Sequence, residues 1–263
     1  MAVFLVDGGY FVKRFQIHWN SNKGKNMHWW RVQSQQNNCT QNEMRENWER
    51  ILNNDLSYLE FRMGEMAEIE RVFVCYDGIF GRRPRGNLYK GYKRNRKNIN
   101  PRKHKGRDVR DKIQNCGLEP MALRDGWYGL YNHYKEADDL LAEMAHLLLM
   151  CGKEVVIMTG DSDMYQLLAM EGSIRMHDFT KEIDEAHVIE RCGIPTYKYA
   201  DWKALVGDPS DGIPGIKGIG KSTATKLLNE YECIEDIPIE RFGSTEVYET
   251  ALLWRRLIKL PLT

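Results

Sequence analysis

The chain opens on an unbroken apolar run, Ala2 to Val6, that stops at Asp7 and turns through Gly8-Gly9. A short run that is apolar at every position and closed by a turn predicts a strand buried on both faces. Arg71–Tyr76 repeats the pattern before Asp77-Gly78, and Glu154–Met158 repeats it before Thr159-Gly160-Asp161. Residues 173–179 predict a fourth strand. Helical spacing fills the intervals. From Asn42 to about Glu65, Met44, Trp48, Ile51, Leu52 and Leu59 fall close to one face. From Asp138 to Cys151, Leu140, Leu141, Met144, Leu147 and Leu148 do the same. Beyond Asp201 the pattern is again helical. Alternating strands and helices predict an α/β fold with a mainly parallel central sheet flanked by helices. Residues 18–41, polar and rich in Asn, Gln and Trp, interrupt the pattern as a loop or insertion.

Composition sharpens this picture in three ways. A chain of 263 residues with 42% hydrophobic content can build one large α/β domain, or one domain with an appended module. Its longest nearly apolar stretch, Met144 to Cys151, is too short to span a bilayer, and the N-terminus reads as a core strand and not a leader. A cytoplasmic protein with no membrane partner is expected. The six cysteines (39, 75, 116, 151, 192 and 233) form no Cys-x-x-Cys pair, which predicts reduced structural thiols in place of a zinc site or disulfides. The net charge of +1 hides an asymmetry: between Arg82 and Lys112 fourteen Lys or Arg face two Asp. Such a stretch calls for a polyanionic partner.

The acids that balance it stand in telling places. Asp7, Asp77 and Asp161 each close a predicted strand, and ligands in open α/β sheets bind at the carboxyl ends of the strands. Asp163 shares the turn of Asp161. Glu136, Asp138 and Asp139 open the apolar helix, and Asp208 and Asp211 lie three apart in a Gly/Pro-rich turn. Each group alone has a plainer reading: a helix start favoured by the dipole for Glu136 to Asp139, turn or cap residues for the others. Together on one edge, these nine carboxylates would repel one another unless cations neutralised them. Oxygen ligands of this kind suit Mg²⁺ or Mn²⁺. Two such ions roughly 3.5–4 Å apart clamp the attacking and leaving oxygens of a phosphoryl displacement.

Two further segments carry chemistry. Gly215 to Ser222 fits the spacing of a P-loop, but a P-loop must follow a buried strand, and Val-Gly-Asp-Pro-Ser-Asp-Gly-Ile-Pro precedes it here. A helix–hairpin–helix reads better. Gly215, Gly218 and Gly220 permit a sharp turn and close backbone approach. The helix from Ser222 to Tyr231 would offer its N-terminal N–H groups to a phosphate, with Lys217 and Lys221 adding charge. A plain glycine-rich turn capping a helix is the alternative. The segment Tyr89-Lys-Gly-Tyr-Lys-Arg-Asn-Arg96 interleaves tyrosines with cations, so that a tyrosine face could stack on an unpaired base. Lys93 and Arg96 would share a face if helical and could neutralise a reacting phosphate. A solvated basic surface is the alternative.

With these motifs in view, the chain resembles the flap endonuclease or 5′–3′ exonuclease family in its phage and bacterial form. The likeness runs from Asp7 to about Tyr231. It is most specific at Tyr92-Lys-Arg-Asn-Arg96, Glu136-Ala-Asp-Asp139, Thr159-Gly-Asp-Ser-Asp163 and Gly207-Asp-Pro-Ser-Asp-Gly-Ile-Pro-Gly-Ile-Lys-Gly-Ile-Gly220.

The resemblance implies a PIN-like nuclease domain over residues 1–200, with a helical arch at about 94–116. It implies a helix–three-turn–helix subdomain over 201–263 that grips duplex DNA and holds K⁺. One metal ion would lean on Asp7, Asp77, Glu136, Asp138 and Asp161, the second on Asp163, Asp208 and Asp211 together with Asp139. Lys93 and Arg96 would contact the reacting phosphate, with Tyr92 stacking nearby. The implied substrate is DNA with a 5′ single-stranded flap or end, or an RNA–DNA primer, met by a monomer in replication or repair.

Two other readings stay open. A haloacid-dehalogenase-like phosphatase needs a second Asp two residues after the first strand's Asp, where Gly9 stands. A non-catalytic binder of branched DNA would have no use for so full a set of acids.

Overall fold

The computed structural model describes residues 1–10, 57–94 and 125–262. The insertion at 18–41, Arg96 and almost all of the arch at about 94–116 lie outside the described residues. A six-stranded sheet runs through the centre in the order β3-β2-β1-β4-β5-β6. Its strands are β1 (Ala2–Asp7), β2 (Ile69–Tyr76), β3 (Trp127–Tyr131), β4 (Glu154–Met158), β5 (Ile174–His177) and β6 (Glu182–Ile183). The first five are mutually parallel, and β6 pairs antiparallel with β5. Strand β1 lies in the middle with all six residues buried, as its uninterrupted apolar run requires of a strand covered on both faces.

Alternation along β1 divides the core. Ala2, Phe4 and Val6 join Leu59 and Met63 of the helical stretch 57–66 on one face. Leu5 joins Ile157 and helix α2 on the other. The helices with printed bounds are α1 (Arg83–Leu88), α2 (Ala137–Met150), α3 (Glu185–Cys192), α4 (Tyr199–Val206), α5 (Lys221–Glu230) and α6 (Thr245–Ile258). Leu141, Ala142 and Ala145 of α2 are fully buried; the two small residues let the helix lie close on the sheet. Helix α4 is buried at seven of its eight positions and is sandwiched between α5 and α6. No described helix is long and apolar enough to cross a membrane.

The turn between α4 and α5 is held from behind by backbone packing. Gly207 and Gly215 lie back to back, both at positive φ (94° and 73°), and a Cβ on Gly215 would stand 2.5 Å from the Val206 backbone. Trp254 of α6 donates its indole N–H to the Gly215 carbonyl at 3.3 Å, and its ring meets Tyr89 edge-on at 4.6 Å. The C-terminal helix thereby ties the glycine-rich turn to the segment after α1. Gly215→Ala must relieve both a left-handed φ and a backbone clash. It is expected to cost about 2 kcal/mol of stability, read as a lower urea midpoint with an unchanged slope.

Candidate active site

The carboxyl ends of β2, β1 and β4 are neighbours, so the three strand-ending acids are neighbours too. An open cleft of about 390 Å³ is lined there by Asp7, Asp77, Asp138, Asp161, Asp163 and Asp211, together with Lys93. Local structure explains how each is fixed. Asp7 Oδ1 accepts from the N–H of Tyr10 at 3.0 Å, and Oδ2 accepts from the buried Thr159 hydroxyl at 3.0 Å. Asp77 accepts from the N–H of Ala137 at the start of α2, at 3.0 Å. Asp161 caps the 3₁₀ helix Ser162–Ala169 through the N–H of Asp163. The plainer cap reading of these acids is therefore part of their geometry: backbone hydrogen bonds aim carboxylates at one opening.

Asp208 sits just behind. Its Oδ1 accepts from the N–H and hydroxyl of Ser210 at 2.9 and 2.7 Å, and its Oδ2 accepts from Lys203 at 2.7 Å. Lys203 also bonds Asp163. Oxygens of Asp163, Asp208 and Asp211 lie within 4.8 Å of one another, close enough to share an ion.

Two predicted acids are placed differently. Glu136 is 3% exposed and away from the cleft lining. It accepts from Lys93 at 2.6 Å, from the Tyr92 hydroxyl at 2.7 Å and from Arg85 at 3.2 Å. Asp139 turns toward the protein interior, held by both terminal nitrogens of Arg85 at 2.6 and 2.8 Å and by the N–H of Leu262 at 2.9 Å. Tyr92 is 8% exposed, so its ring offers little face to a base.

Lys93 lines the cleft without a helix to place it. Its φ is 49°, and its N–H donates to the Asp211 carbonyl at 2.6 Å, which pins it to the turn that begins the glycine-rich segment. Gly212 makes that approach possible, because a Cβ there would stand 2.7 Å from the Gly91 carbonyl oxygen. Lys217, Gly218, Gly220, Lys221 and Ser222 are all exposed. Gly218 and Gly220 face open space, in contrast to the packed Gly215.

Sequence reasoning missed Arg85, Thr159 and Lys203. Lys203 left a signal, a lone cation within the mostly apolar run Tyr199–Val206. Arg85 left none, since its partners are more than fifty residues away in sequence.

The crowding shows in the acidities. Burial pushes the Asp7 carboxyl up to about 6, helped by Asp161 and Asp77 and opposed by the bonds from Tyr10 and Thr159. Loss of solvent pushes Asp163 up to about 7 in spite of Lys203. Asp138 is held well above the carboxylate range, by desolvation first and then by Asp7 and Asp161. For Asp139 and Asp208 burial acts upward too, but Arg85 in the one case and Lys203 with Ser210 in the other hold them below their ordinary values. A donor set of clustered carboxylates, with no thiol or imidazole among the described residues that line the cleft, fits a hard divalent cation such as Mg²⁺ or Mn²⁺.

A pH dependence follows. Between the ordinary carboxylate value near 4 and about 7, the folded metal-free protein holds protons that the unfolded chain has released. Stability must fall as pH rises through that window. In EDTA the melting temperature should drop by several degrees from pH 5 to pH 8, and Mg²⁺ should restore it at pH 8 but not at pH 5. The drop should shrink in Asp163→Asn. A flat profile in EDTA contradicts the crowding.

Comparison with known proteins places this geometry in context. The family model described as 5′-3′ exonuclease, N-terminal resolvase-like domain, matches residues 55–193, more than half of the chain. The model described as 5′-3′ exonuclease, C-terminal SAM fold, matches residues 194–256. DNA polymerase I of Caldicellulosiruptor bescii is 33% identical over 185 residues, which cover 66% of this chain and 20% of that protein. DNA polymerase I of Deinococcus radiodurans is 44% identical over 102 residues, covering 39% and 11%. The chain thus spans a fifth or less of the length of these relatives. Among solved structures, the T5 5′-exonuclease with bound zinc aligns at a TM-score of 0.70 and 18% identity, over 99% of this chain and 90% of that one. A bacteriophage T5 flap endonuclease in a pseudo-enzyme-product complex with DNA and metal ions aligns at 0.65 and 18%, over 100% and 89%. These two share the fold.

Proposed function

Because the chain belongs to the 5′-3′ exonuclease family, we propose that it is a divalent-metal-dependent, structure-specific 5′ nuclease. It hydrolyses phosphodiester bonds in DNA or RNA–DNA at 5′ flaps and ends, leaving a 5′-phosphate and a 3′-hydroxyl. The observation that carries this reading is the convergence of six carboxylates and Lys93 on one cleft.

Asp7, Asp77, Asp138 and Asp161 would hold one Mg²⁺ or Mn²⁺ ion, and Asp163, Asp208 and Asp211 a second. Such ions, when bound, lower the pKa of a coordinated water and neutralise charge on the phosphate. The chain's own residues do the rest. Lys93 Nζ, steadied by Glu136 and by its backbone bond to Asp211, meets a phosphate oxygen in the cleft. Tyr92 and Arg85 hold Glu136 in turn, and Arg85 holds Asp139, so these two acids steady the cations beside the cleft. Arg96, outside the described residues, adds a second cation to the phosphate.

The exposed turn at Lys217 to Ser222, with the free N–H groups that open α5, grips a duplex phosphate without reading sequence. The same turn would hold a K⁺ ion, which would add positive charge toward the phosphate. In this reading residues 1–200 form a PIN-like nuclease domain bearing an arch at about 94–116. Residues 201–263 form the helix–three-turn–helix subdomain, and the protein acts as a monomer on intermediates of replication and repair.

The test uses an end-labelled 5′ flap, a nicked duplex and a single strand, each incubated with Mg²⁺, with Mn²⁺ and with EDTA. Cutting at the flap junction with either metal and none in EDTA is the expected result. Tight flap binding without turnover in both metals would leave the branched-DNA binder as the better reading.

A further inference from the structure

The acids of the cleft differ in the company they keep. Asp7, Asp77, Asp138 and Asp161 enter no salt bridge among the described residues, whereas Asp163, Asp208 and Asp211 each meet a lysine. Lys203 Nζ bonds Asp163 Oδ1 and lies 2.7 Å from Asp208 Oδ2, while Lys93 Nζ is 3.4 Å from Asp211 Oδ2. Lys203 is 9% exposed and projects from buried helix α4. Ser210 occupies the other oxygen of Asp208, so Oδ2 is the atom left for a cation, and Lys203 holds it.

We propose that Lys203 is an internal counter-ion that competes for Asp163 and Asp208 with the divalent cation these two would share with Asp211, so that this ion enters only as Lys203 withdraws. The inference rests on the metal-site reading above and adds an order of filling to it. A magnesium ion would sit about 2.1 Å from a ligating oxygen, and an ammonium bonded to that same oxygen could be no more than about 5 Å away from it. Two cations so close, drawing on one oxygen, oppose each other. Among the described residues no ammonium is paired with the other four acids, and Lys93 acts on Asp138 only from a distance, so a divalent ion there displaces no bonded cation. The two sites should therefore fill unequally, first at Asp7–Asp77–Asp138–Asp161 and then at the lysine-held triad.

The test is a Mn²⁺ titration of the full chain without DNA at pH 8, with free ion followed by electron paramagnetic resonance. Wild type should show one tight and one weaker class of site. In Lys203→Met the weaker class should tighten at least tenfold while the tight class stays within about twofold. In Lys203→Arg, which keeps the charge and can span both carboxylates, the second class should stay weak or vanish. An unchanged second class in folded Lys203→Met overturns the inference. If that variant does not fold, a tightened second class in Lys203→Arg overturns it. Failure of all three proteins to bind Mn²⁺ overturns the underlying metal-site reading as well, an outcome distinct from equal binding in all three.

Discussion

Asp161→Asn should lower flap cleavage by at least about 10³-fold while leaving the affinity for flap DNA within about threefold. Losses of this size are typical when one group that stabilises transition-state charge is removed. The side chain closes β4, lines the cleft and caps the following 3₁₀ helix by accepting the Asp163 N–H. An asparagine oxygen can keep that bond, so the local fold survives. The negative charge does not survive, and it is the charge that a divalent ion needs. The same substitution removes a repulsion that helps raise the Asp7 and Asp138 carboxyls. The variant should therefore melt higher than wild type in EDTA at pH 8, a gain in stability coupled to a loss of function. Cleavage within tenfold of wild type would remove Asp161 from the ion's ligands.

Arg85→Met should cost roughly 3–5 kcal/mol of stability, the range for breaking a buried ion pair from one side. The guanidinium is 2% exposed and makes four bonds: to Asp139 at 2.6 and 2.8 Å, to Glu136 at 3.2 Å and to the Leu257 carbonyl at 2.8 Å. It thus joins α1, the start of α2 and the end of α6. Without it, buried Asp139 loses its only cation among the described residues, and buried Glu136 keeps only Lys93 and Tyr92. Denaturation in urea should show a lower midpoint at the same slope. Adding Asp139→Leu to Arg85→Met should recover part of the loss, because the second change removes one of the stranded charges. A loss below about 1 kcal/mol would mean that water, and not Arg85, satisfies Asp139.

These two residues also mark how far the sequence could be read. Asp161 was legible because β1, β2 and β4 are buried on both faces, and such strands appear as plain apolar runs with a visible end. Their adjacency in the sheet then brought Asp7, Asp77 and Asp161 to one edge. Strand β3 was not legible. Trp127-Tyr-Gly-Leu-Tyr131 lies at the edge of the sheet with only Trp127 buried, so it has neither an apolar run nor an alternation to announce it. The two-residue strand β6 is too short for any period.

Within the site, position along the chain indicated which acids cluster, but not which are already neutralised. Asp138 and Asp139 are adjacent on α2, and rotation about the helix axis sends one to the cleft and the other to Arg85. That distinction depends on a partner 54 residues away and has no local signature. The glycines divide in a similar way. Gly215 is demanded by packing against Val206, while Gly218 and Gly220 face open space, yet all three look alike in sequence.

Divalent cations are to be held where the carboxylates converge. The most direct measurement is an anomalous difference map from crystals of this chain grown with Mn²⁺. It should show a peak bounded by Asp7, Asp77, Asp138 and Asp161, displaced by excess Mg²⁺. A map with no peak in that cleft at millimolar Mn²⁺, or with ions bound only at acids elsewhere on the surface, would contradict it.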